Sequence, residues 1–81
     1  MGGARYRLPD GLGGLLTSQM TLAIEEANLS QEDREIAKLR YLEHYAQIDI
    51  AVEMNYGRTT VYRRLKEITP RISNAARNLP Q

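Results

Sequence analysis

Arg58, Thr59, Tyr62 and Arg63 fall at the spacing of one face of a 3.6-residue helix, and their residue types suit one chemistry. Guanidinium groups neutralise phosphates and grip guanine edges, a hydroxyl bonds to either, and an aromatic ring offers apolar or backbone contact. The combination is that of a surface that meets double-stranded DNA. Arg63 is best placed for a bidentate guanine contact, which is worth about 1–3 kcal/mol of discrimination. Thr60, Arg64 and Lys66 suit phosphates, and Gln47 suits one from the start of the helix before.

Such a surface needs a rigid support, and the stretch QIDIAVEMNYGRTTVYRRL from Gln47 to Leu65 has the apolar spacing of two short helices crossing at a tight turn. Ile50, Ala51, Met54, Tyr56, Val61 and Leu65 would face inward, with small Ala51 where the axes approach. Asn55 tolerates the left-handed conformation that an interhelical turn needs; Gly57 offers the same freedom, or a weak N-cap for the next helix. The expectation is a helix-turn-helix at about residues 46–68, with a recognition helix at about 58–68 in the major groove.

Around this unit the chain reads as all-α, a small domain of four to five helices over 15–81, preceded by a flexible arm at 1–14. The arm holds five of the six glycines and no apolar period; its Arg5, Tyr6 and Arg7 have the composition of a basic arm. A first helix from Leu15 to about Asn28 carries Leu16, Met20, Ala23, Ile24 and Ala27 at helical spacing, widened by Leu15 and Leu22. Ser30 with Glu32 and Asp33 has the form of an N-cap and an acidic first turn. The second helix begins there and buries Ile36, Ala37, Leu39, Tyr41 and Leu42, with a turn at His44-Tyr45 before a third helix at about 46–54. Val61, Leu65 and Ile68 continue the inward stripe of the fourth helix until Thr69-Pro70, where the proline is expected to break it and open a short final helix over 71–77.

An 81-residue chain with 42% hydrophobic residues buries one modest core. Without cysteine and with the single His44, it offers no disulfide framework and no usual zinc ligand set, so no metal or cofactor is expected. No apolar run approaches the roughly 18 residues of a membrane span, and the start lacks the apolar stretch of a secretory signal. The expectation is a cytoplasmic protein with no membrane partner. Charge is divided along the chain. Residues 1–57 hold five Lys or Arg against nine Asp or Glu, a balance of −4, and residues 58–81 hold six against one, a balance of +5. A polyanion would be drawn to the basic end and repelled by the acidic helices behind it.

Residues 29–68 resemble region four of bacterial sigma factors, the part that reads the upstream promoter element. The Arg-Glu-Ile and Leu-Arg-Tyr phrases within 34–41 are similar to the first helix of that module. The Ile-Ala, Met-Asn-Tyr and Thr-Val-Tyr-Arg phrases within 50–63 resemble still more closely the small phage transcriptional regulators of the ArpU and RinA kind. The resemblance implies a sequence-specific DNA-binding transcriptional regulator, with RNA polymerase and a second copy of the chain as candidate further partners. The chain departs from the pattern at Gly57, where these families usually place Ser or a similar cap. Nothing resembles the core-binding or melting regions of a sigma factor, so a small regulator is expected rather than a complete one.

Two other classes compete. An enzyme is not expected, because one His, no Cys and carboxylates on exposed helix faces form no acid–base or nucleophilic constellation. The serious alternative is a protein-binding inhibitor or adaptor that turns the same scaffold against polymerase or a host defence factor.

Overall fold

Ser30 accepts a hydrogen bond from the Asp33 backbone N–H (3.2 Å) and so caps the second helix, with Glu32 and Asp33 in the turn where the helix dipole favours carboxylates. The computed structural model describes residues 15–79. Within them the chain forms α1 (Thr17–Glu26), α2 (Gln31–Tyr41), α3 (Gln47–Met54) and α4 (Arg58–Arg77), and no strand. The expected arm at 1–14, with Arg5, Tyr6 and Arg7, lies outside the described residues.

The three connections share one device. Asn28 (φ 58°), His44 (φ 63°) and Asn55 (φ 59°) each take a left-handed conformation between helices. Asn and His are among the non-glycine residues that adopt it most readily. At Asn55 the turn closes tightly, because the Tyr56 N–H reaches back to the Ala51 carbonyl at 2.9 Å. Gly57 is instead extended (φ −74°, ψ 157°) and is the N-cap of α4. At the other end of the chain Leu16, expected to be buried, is the N-cap of α1 and 67% exposed, since it precedes the helix that would turn it inward.

α4 is the spine of the molecule, about 30 Å of continuous helix at 1.5 Å per residue, and it packs against α1, α2 and α3 alike. The break expected at Pro70 does not occur, and no separate fifth helix forms. The reason is burial. Ile68, Ile72 and Ala76 extend the stripe of Val61 and Leu65 straight through the proline, so ending the helix would expose them. Pro70 itself is exposed, which leaves the Lys66 carbonyl, deprived of its N–H partner, on the side of the helix open to water. Just before it, the Thr69 hydroxyl meets the Tyr41 hydroxyl at 2.6 Å and ties α4 to α2.

The core gathers Met20, Ala23 and Ile24 from α1, Ile36, Ala37 and Tyr41 from α2, Ile50 and Ala51 from α3, and the α4 stripe. Leu39, Leu42, Met54 and Tyr56 pack against it while remaining partly exposed.

Candidate nucleic-acid interface

α3, the turn Asn55–Gly57 and the first half of α4 form one packed corner. Val61 and Leu65 are buried and point the opposite side of α4 outward. Arg58, Thr59, Tyr62, Arg63 and Lys66 lie on that side, and all five are exposed. At 100° per residue, Arg58, Tyr62 and Lys66 form one row and Thr59 and Arg63 the next. The Lys66 ammonium sits 5.7 Å from the centre of the Tyr62 ring, so the ring and the cation form one amphipathic ridge.

The helix start adds to this surface. Gly57 offers no side-chain cap, and the first turn of α4 contains no acid. Helix geometry denies the leading N–H groups an intrahelical partner, and their dipole favours an anion. Arg58 stands beside them. Contrast α2, whose start is occupied by the Ser30 hydroxyl and by Glu32 and Asp33.

Arg64 and Thr60 fall on the flank toward α2, away from the exposed rows. Thr60 is half-buried. The Arg64 guanidinium donates to the Asp33 carboxylate at 2.9 Å, lies 3.7 Å from the Glu32 carboxylate, and rests 5.6 Å from the centre of the Tyr56 ring. The hydrogen bond to Asp33 raises its pKa above the ordinary arginine value, so it stays charged. Burial, followed by a hydrogen bond to Glu32, pushes the Tyr56 phenol up. Arg64 is therefore engaged within the fold, a clamp between α4 and the start of α2, rather than a free phosphate ligand.

Gln47 opens α3 and is half-buried, on a different element from the exposed rows. Glu32 and Asp33 are legible in the sequence as an acidic first turn and Tyr56 as an inward residue, but not as partners of Arg64. The ion pair joins positions 31 apart, which no helical period connects.

Among the described residues no group of three or more His, Cys, Asp or Glu side chains could hold a metal ion, and no helix is long and apolar enough to cross a membrane. No family model matches the chain, and neither a curated protein nor a solved structure matches it.

Proposed function

We propose that the protein is a sequence-specific DNA-binding transcriptional regulator of the sigma region-four kind, resembling the small phage regulators, with the first half of α4 as its recognition helix. The observation that carries this reading is the single exposed face of Arg58, Thr59, Tyr62, Arg63 and Lys66, backed by buried Val61 and Leu65. Cations and hydroxyls in adjacent rows suit a major groove, where the leading residues of the helix meet base edges and later ones follow the backbone. The uncapped, acid-free start of α4 suits a phosphate. With acids concentrated on α1 to α3, repulsion at the back of the domain would orient it as the front binds.

Selection of bound fragments from random double-stranded DNA, followed by titration of the selected site at several salt concentrations, tests the reading. Affinity should fall with salt at a logarithmic slope of about −0.9 for each phosphate contacted. Arg63→Ala should weaken the selected site by about 1–3 kcal/mol and leave the fold intact, because Arg63 is exposed. A salt-independent interaction, or Arg63→Ala with unchanged affinity, would remove α4 as the reading face.

The alternative reading, a protein-binding inhibitor or adaptor, has its own support on α3. Ile48 and Val52 are 49% and 77% exposed at i and i+4, and Tyr45, Val52, Asp49 and Glu53 line a shallow depression. An apolar pair flanked by carboxylates suits a basic protein segment and repels DNA. Replacing Val52 with Glu would leave DNA binding in place under the first reading and abolish partner capture under the second.

A further inference from the structure

Leu22 on α1 is 52% exposed, and it stands at the rim of a groove of about 650 Å³ between α1 and the second half of α4. Leu22 and Glu26 lie four residues apart on the α1 wall. Arg71 and Ala75, four residues apart, line the α4 wall, and Asn78 and Leu79 continue it just past the end of the helix. The Arg71 guanidinium also reaches the Asn28 carbonyl at 3.4 Å, which holds the α4 wall to the turn after α1. The groove thus sets an apolar side chain, Leu22, and an acid, Glu26, on one wall opposite Ala75 and a base, Arg71, on the other.

We infer that this groove is a two-fold interface between two copies of the chain, with Leu22 of each copy seated against Ala75 and Leu79 of the other and Glu26 paired with the partner's Arg71. An isologous contact must be complementary to itself, so that each residue meets its counterpart across the axis. This patch meets that condition in charge, with an acid on one wall and a base on the other. Its single acid and single base cancel, unlike the exposed face on the first half of α4, so it offers a polyanion no net attraction. Asn78 contributes an amide that both donates and accepts, which a self-paired surface can also use. A stable interface covers about 800 Å² per partner, roughly a seventh of the 5533 Å² surface. The groove is formed without the exposed face on the first half of α4, so the dimer does not rest on the DNA reading. If both hold, pairing would present two recognition helices to two half-sites.

Sedimentation equilibrium of the full chain without DNA tests the interface. The expected mass rises toward twice 9.2 kDa as the protein is concentrated to roughly 100 µM. Leu22→Arg should weaken association by about thirtyfold or more, as loss of a central apolar anchor does. Its circular dichroism should match the parent, since the side chain is half in water. Glu26→Arg should give monomers by setting two arginines against each other, and Glu26→Arg combined with Arg71→Glu should restore the dimer. A parent chain that stays at 9.2 kDa, a dimer indifferent to Leu22→Arg, or a charge-exchanged variant that stays monomeric would each overturn the proposal. None of these outcomes depends on DNA binding, so failure of the interface and failure of the DNA reading are separable.

Discussion

Gly57 is the residue at which stability and binding pull in different directions. Its backbone is extended and a Cβ built there meets nothing within 4 Å, so any L-residue fits. Gly57→Ser should therefore raise stability by about 0.5–1 kcal/mol, partly by capping α4 and partly by narrowing the unfolded ensemble. The serine hydroxyl would also take an N–H group that the DNA reading reserves for phosphate. Thermal melting should rise while affinity for the selected DNA falls; a rise in both would show that the helix start is not a phosphate seat. Arg64 and Arg63 make a second residue-scale contrast. Arg64→Ala breaks the tie to Asp33 and should cost about 1 kcal/mol of stability, a modest figure because the guanidinium is one-third exposed. It should leave the DNA salt slope nearly unchanged, whereas Arg63→Ala should do the reverse. Melting curves and salt titrations of the two variants, run side by side, would separate the clamp from the reading face. The exposed rows of α4 were legible because a single helical period relates Arg58, Tyr62 and Lys66. The clamp was not, because Asp33 reaches Arg64 only after α2 and α4 have packed.

At the scale of the element, the turns were legible and the end of α4 was not. Ser30 and Asn55 each do locally what their side chains favour, one capping and the other turning left-handed, so short-range chemistry was enough to locate them. Pro70 is a case where a strong local preference loses to a longer pattern. A proline within a helix costs roughly 3 kcal/mol relative to alanine, whereas burying Ile72 and Ala76, with Ala75 and Leu79 packed against the core beside them, recovers more than that. The apolar stripe decides the outcome. Pro70→Ala should consequently stabilise the protein by about 1–2 kcal/mol, less than the full propensity difference because proline also restricts the unfolded chain. Helical content should stay the same, since the helix already runs through this position. Chemical denaturation checks the gain, and a variant less stable than the parent would mean that the proline sets a bend on which the packing of α1 depends.

For the molecule as a whole, α4 supplies the cooperativity. α1 packs on α4 and α2, and α3 packs on α2 and α4, while α1 and α3 share no packing of their own among the described residues. Whatever couples the groove side of the domain to the corner that carries the exposed cations must pass through α4 and α2. Ile72 is fully buried in the second half of α4, close in sequence to Ser73 and Ala76, which are also buried there. Truncating it leaves a cavity as well as losing apolar burial, and Ile72→Ala should cost about 2–5 kcal/mol. A domain of this size holds only some 5 kcal/mol in total, so the variant should stand near its unfolding midpoint. If α4 is a single spine, that loss reaches the far end: amide protection at Ala23 in α1 and at Ile50 in α3 should fall together, and by the same free energy. Loss confined to α1 would instead divide the core at Pro70 into two units, and the second half of α4 could then fray while the first half kept its exposed face in order. Native-state hydrogen exchange on the parent and on Ile72→Ala distinguishes the two outcomes residue by residue.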